Sequence, residues 1–171
     1  MENKRILIVV SKYYKEISAG LLKGTIDTLN NYREANNNII NEKKDIAAGR
    51  KKPEDLIHPG LVLVAPGYDI EYRVEETAGC FEIPYKINKN KESYDAFIAL
   101  GCVIRGETYH FQIISNEVAR KIMDLTINLN KPISFGILTC ENLEQAKKRS
   151  ENNNQNKGKE AAEACLMSLN K

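Results

Sequence analysis

Three stretches of the chain are continuous apolar runs bounded by polar residues: Arg5 to Val10 (RILIVV), Tyr94 to Leu100 (YDAFIAL) and Ile133 to Leu138 (ISFGIL). Runs of this length, rich in β-branched side chains, predict strands covered on both faces of a parallel sheet. Ile70 to Glu75 alternates apolar and polar positions and predicts a further strand. Between these runs the period lengthens. Ile17, Leu21, Leu22, Ile26 and Leu29 recur at helical spacing, predicting an amphipathic helix from about Ile17 to Tyr32. Phe111, Ile114, Val118, Ile122, Leu125 and Leu129 do the same over a longer helix that begins near Tyr109 and stops before Pro132. Gly79 and Pro84 in TAGCFEIP mark a loop and a helix start. Asn142, with Gln145 three residues on, predicts a capped helix to Arg149. A final helix carries Ala161, Cys165 and Leu169 on one face.

One segment breaks the alternation. Arg33 to Tyr68 is rich in Asn, Lys, Asp and Glu and is interrupted by Pro53, Pro59 and Pro66. Ordinary connections run to about 2–6 residues, so residues 33–68 are expected to be an insertion, partly mobile, with Leu61 to Ala65 (LVLVA) as a short extra strand. The remaining order is β-α-(insertion)-β-α-β-α-β-α-α. Right-handed crossovers then give an open parallel sheet of about four strands with helices on both sides. A chain of 171 residues forms one domain with a core of its own.

Composition narrows the chemistry. With 25 Lys+Arg against 23 Asp+Glu, the net charge of +2 is too small an electrostatic footprint for nucleic acid. Cys80, Cys102, Cys140 and Cys165 show neither a Cys-x-x-Cys pair nor a histidine cluster, so neither a zinc site nor a disulfide framework is signalled, and thiols in a reducing compartment are expected. Ile6 to Val10 is too short for a signal peptide's apolar segment, and no run approaches the ~18 residues of a membrane span. The expected location is cytoplasmic.

Ligands of open parallel sheets sit beyond the carboxyl ends of the strands. The loops that follow carry SKYYKE, GCFE, GCVIRGETYH and TCEN, and so the unusual residues of the chain. Tyr13, Tyr14, Phe81, Glu82, His110 and nearby Phe135 offer aromatic faces for a flat heterocycle and polar groups to orient it. Gly106, Glu107 and Thr108 precede the long helix, whose N-terminus favours an anion. The plainer alternative is that Gly106 only turns the chain and Glu107 neutralises the helix end. His110, in the first turn, is suited to proton transfer near neutral pH or to a structural role; His58 has no such surroundings. Dinucleotide-binding glycines, a Walker loop and a Gly-x-Ser-x-Gly elbow are absent from the sequence, which disfavours nucleotide-dependent redox, ATP-dependent transfer and serine-hydrolase chemistry.

The ordered set GCFEIP, LGCVIRGETYHF, NEVA, PISFGILT and EQAKKR…NKG resembles the lumazine synthase family of riboflavin biosynthesis, over nearly the whole chain outside residues 33–68. The resemblance implies a flavodoxin-like, three-layer α-β-α fold with a four-stranded parallel sheet. It implies a transferase that condenses 5-amino-6-(D-ribitylamino)uracil with 3,4-dihydroxy-2-butanone 4-phosphate, giving 6,7-dimethyl-8-ribityllumazine, phosphate and water. No cofactor or metal is implied.

By the same resemblance, Tyr13, Cys80, Phe81, Glu82, Val103 and Phe135 would hold the uracil ring and ribityl chain; Glu107, Thr108, Arg149 and Lys157 would hold phosphate; and His110 would transfer protons. Tyr14 stands where many members have asparagine. Phe135, Arg149 and Lys157 would reach the site from a neighbouring subunit of a pentamer, the family's unit, some pentamers assembling further into decamers or sixty-subunit shells. Riboflavin synthase is an implied partner; nucleic acid and membrane are not. A catalytically silent flavin- or lumazine-binding scaffold of the same fold is the alternative.

Overall fold

The computed structural model describes residues 2–52 and 68–169. The expected strand Leu61 to Ala65 lies outside them. The elements are β1 (Glu2–Ser11), α1 (Lys15–Ala47), β2 (Tyr68–Thr77), α2 (Ile83–Lys89), β3 (Ala96–Ile104), α3 (His110–Leu129), β4 (Ile133–Cys140), α4 (Leu143–Ser150) and α5 (Lys157–Leu169), with a 3-10 turn at Cys80–Glu82. The four strands are parallel in the order β2-β1-β3-β4. The fold is thus the α-β-α sandwich that the alternation of periods predicts.

The central strands β1 and β3 are covered on both faces, which explains why they read as unbroken apolar runs, whereas edge strand β2 exposes Glu71, Arg73 and Glu76. Ile6, Ile8, Val10, Ile98 and Leu100 pack beneath Ile17, Leu21 and Leu29 of α1 and Ala162, Cys165 and Leu166 of α5. Leu7, Val9, Phe97 and Ala99 face Ile83 and Ile87 of α2 and Val118 and Ile122 of α3. Neighbouring residues of one strand therefore feed opposite cores, as a period of two requires.

The largest departure from expectation is α1, which continues to Ala47 instead of ending near Tyr32. Beyond Tyr32 its apolar residues Ala35, Ile39, Ile40 and Ile46 are only half-buried. Asn36 compensates: its buried Nδ2 donates to the Tyr68 carbonyl at 2.9 Å and ties the helix to the start of β2. The Tyr32 and Tyr68 rings lie 6.2 Å apart beside it. Beyond the helix, Gly49 takes φ +69°, a left-handed turn that ends the element.

β3 runs through Ile104 and β4 through Cys140, so GCVI and TC belong to strands, and the loops after them are shorter than the sequence suggested. Asn142 caps α4 as expected, accepting from Gln145 N at 2.9 Å. The return bond from the Gln145 side chain goes one residue further back, accepting from Glu141 N at 2.9 Å.

Candidate active site

In a sheet of order 2-1-3-4, the connections leave β1 and β3 in opposite directions, and a crevice opens between their carboxyl ends. A cavity of about 760 Å³ lies there, walled by Tyr13 and Tyr14 after β1, Gly79 to Glu82 after β2, Cys102, Val103, Ile104, Gly106 and Thr108 along β3 and its loop, and His110, Phe111, Ile113 and Ile114 of α3. Tyr13 and Phe81 stand at the rim, 73% and 59% exposed, leaving their ring faces available for stacking.

The wall is fixed by local bonds. Lys12 N donates to the Thr77 carbonyl at 2.9 Å and Ser18 Oγ donates to the Ser11 carbonyl, which anchors the turn bearing Tyr13 and Tyr14. The Tyr13 and Tyr14 rings meet edge to face, 5.0 Å apart. Glu82 Oε2 accepts from Gly79 N at 2.9 Å, holding the carboxylate over its own turn. A Cβ on Gly101 would come within 2.6 Å of Cys80 Sγ, so the absence of a side chain lets this turn settle on β3. Burial pushes the Cys80 thiol up and the Cys102 thiol up to about 12, so the floor is uncharged near neutral pH.

The loop from Arg105 to Tyr109 closes one side. Arg105 Nε lies 2.6 Å from Glu141 Oε2, and its guanidinium carbon is 4.4 Å from the Phe111 ring centroid. With its amide oxygen turned to Arg105, Gln112 accepts from Nη1 at 2.7 Å. His110 opens α3, and its backbone N–H donates to Thr108 Oγ1 at 3.4 Å. Glu107 is exposed in this loop but is not part of the crevice wall.

The remaining expected residues are elsewhere. Phe135, Arg149 and Lys157 line a second cavity of about 770 Å³ along edge strand β4, under α4 and α5, together with Lys148, Gln155 and Glu160. Lys157 Nζ pairs with Glu160. Phe135 therefore does not join the rim beside His110: it sits mid-strand on β4, 43% exposed. One chain brings together Tyr13, Cys80, Phe81, Glu82, Val103, Thr108 and His110, and separately Phe135, Arg149 and Lys157.

Sequence reasoning assigned nothing to Arg105 or to Asn156, the buried residue between α4 and α5. An Asn immediately before Lys157-Gly158 at a helix start is a capping signal that would have found the second. The first has no such signature, because its ion-pair partner Glu141 is 36 positions away.

The fold and the crevice define a class: a doubly wound α/β protein with a cavity at its β1/β3 switch point. Residues 63–171 match the family described as 6,7-dimethyl-8-ribityllumazine synthase. Proteins of that name are similar to the chain: one from Bartonella tribocorum is 38% identical over 171 residues, covering 97% of this chain and 89% of the relative. One from Kosmotoga olearia is 33% identical over 172 residues, covering 99% and 88%. One from Agrobacterium fabrum is 47% identical over 105 residues, covering 57% and 71%. The chain belongs to the 6,7-dimethyl-8-ribityllumazine synthase family.

Proposed function

We propose that this chain is a transferase that condenses 5-amino-6-(D-ribitylamino)uracil with 3,4-dihydroxy-2-butanone 4-phosphate to form 6,7-dimethyl-8-ribityllumazine, releasing phosphate and water. The observation that carries the reading is the crevice itself, in which two exposed aromatic rings, a fixed carboxylate and His110 surround an uncharged floor. The flat ring stacks on Tyr13 and Phe81, above Cys80 and Val103. Glu82 accepts hydrogen bonds from ribityl hydroxyls.

His110 moves protons as the uracil amine adds to the ketone, as water leaves to give the imine, as phosphate departs, and as the second amine closes the ring on the remaining carbonyl with loss of a second water. General acid–base help of this kind is worth ~10²–10⁴ in rate. Much of the rest comes from holding both substrates in contact. Glu107 and Thr108 contribute backbone N–H groups to the phosphate at the start of α3, and Arg149 and Lys157 supply its cationic partners.

In this reading Arg149, Lys157 and Phe135, which line a different cavity from His110, reach the site of a neighbouring copy in a pentamer, as the family resemblance implies. A second feature supports self-association. Tyr109, Ile113, Met123 and Ile127 are exposed on one side of α3, with Asn116 and the ion-paired Arg120 between them, and burial of these apolar groups would favour association with other copies. Residues 1–171 act as one domain; of the expected insertion 33–68, residues 33–47 extend α1 and Tyr68 opens β2, which leaves 48–67 as the added segment. Four buried free thiols fit a reducing, cytoplasmic setting, and riboflavin synthase is a partner that would take the product.

Purified protein mixed with both substrates should yield the fluorescent lumazine. Tight flavin or lumazine binding without product would instead establish the silent scaffold.

A further inference from the structure

We infer that Asn156 is the positioning residue for the Arg149 and Lys157 cations, an inference that rests on the proposed role of that pair in phosphate binding. Arg149 precedes the last residue of α4 and Lys157 is the first of α5, with Asn156 directly before it. Asn156 is 2% exposed. Its Oδ1 accepts from Gly158 N at 2.8 Å and Lys159 N at 3.0 Å, satisfying two N–H groups of the first turn of α5. Its Nδ2 donates to the carbonyls of Ser150 at 2.8 Å, Glu151 at 3.0 Å and Gly20 at 3.1 Å. One amide thus joins the end of α4, the start of α5 and α1.

The packing around this amide is closed on the α1 side. A Cβ on Gly24 would lie 2.3 Å from Asn156 Oδ1, and one on Gly20 would lie 2.3 Å from the Ser150 carbonyl. Two glycines one turn apart therefore let α1 seat against the turn that connects the two cations. Ordinary helix capping needs only an acceptor, and Asp or Ser supplies it as well as Asn. The three carbonyls need a donor as well. Among the side chains of this size and shape, Asn provides both from one group.

The test uses the full-length oligomeric protein and two variants, Asn156→Asp and Asn156→Ser, beside Arg149→Ala. Both Asn156 variants keep a capping oxygen; Asp loses the donors, and Ser keeps only a single O–H on a shorter stem in place of the amide NH2, so a role in capping alone predicts wild-type kinetics. The readouts are KM for each substrate and inhibition by inorganic phosphate, taken where melting curves show the proteins folded.

Positioning predicts that KM for the butanone phosphate and the inhibition constant of phosphate both rise about tenfold, with KM for the uracil substrate nearly unchanged; a displacement of about 1 Å is enough for losses of this order. Should Asn156→Asp fail to fold, Asn156→Ser carries the comparison. Wild-type phosphate affinity in the Asn156 variants, with affinity lost in Arg149→Ala, overturns the inference and leaves the cation pair standing. Unchanged phosphate affinity in Arg149→Ala overturns both.

Discussion

Arg105 Nε and Glu141 Oε2 lie 2.6 Å apart, joining the ends of β3 and β4 across the mouth of the sheet. The same guanidinium covers the Phe111 ring in the first turn of α3, at 4.4 Å. Exposed ion pairs add little to stability, but this one braces the loop that leads into His110. Arg105→Lys keeps the charge and loses the planar fork. It should lower kcat about tenfold, the scale set by small misplacements of catalytic groups, while leaving the melting temperature nearly unchanged; steady-state kinetics and a thermal melt check both.

Gly158 packs so closely on α1 that an added Cβ would lie 2.0 Å from the Leu21 carbonyl oxygen. Helix propensity alone favours Ala over Gly by about 1 kcal/mol, whereas overpacking of this kind costs about 1–3 kcal/mol. The clash is with backbone, so it wins. Gly158→Ala should be net destabilising, by up to about 2 kcal/mol in denaturant unfolding.

Burial raises the Cys102 and Cys165 thiols from 9.0 to about 12. Between those values the fold holds protons that the unfolded chain has released, so stability is level below about pH 8 and falls as pH climbs from 9 towards 12. The raised Tyr32 and Tyr68 phenols add to the fall at its upper end. Denaturant midpoints across the alkaline range should show this decline, and Cys165→Ala should flatten it.

Arg149 lines the cavity away from the aromatic crevice, so its loss should act on one substrate. Arg149→Ala should raise KM for the butanone phosphate about tenfold or more and change KM for the uracil substrate less than about twofold. Equal losses for both would contradict the assignment of Arg149 to phosphate.

Much of this was legible in the residue pattern, and the exceptions have physical causes. Buried strands show as apolar runs, so RILIVV, AFIAL and ISFGIL mark β1, β3 and β4 directly. The outer part of α1 does not, because its buried anchor beyond Tyr32 is a polar side chain, Asn36 on the Tyr68 carbonyl, and Ile39, Ile40 and Ile46 stand scattered among Asn, Lys, Asp and Glu. The crevice follows from topology, which puts the ends of β1 and β3 side by side and gathers Tyr13, Phe81, Glu82 and His110. Separation of Phe135, Arg149 and Lys157 from that group is a matter of which side of β4 each occupies. Strand periodicity does not encode this for an exposed edge. The Arg105–Glu141 pair and the Asn156–Gly20 bond join residues 36 and 136 positions apart, beyond any local pattern, whereas the capping bonds of Asn156 are local and were legible.

The central claim is an active lumazine-forming site shared between subunits, and one measurement addresses it directly: product fluorescence from His110→Ala and Arg149→Ala proteins, each alone and then co-assembled in equal amounts. In a closed ring, random mixing pairs an intact His110 half with an intact Arg149 half at about one interface in four. The account predicts that each variant alone is crippled and that the mixed oligomer recovers about a quarter of wild-type turnover. Activity in the mixture no higher than the average of the two variants, with co-assembly verified, would contradict it.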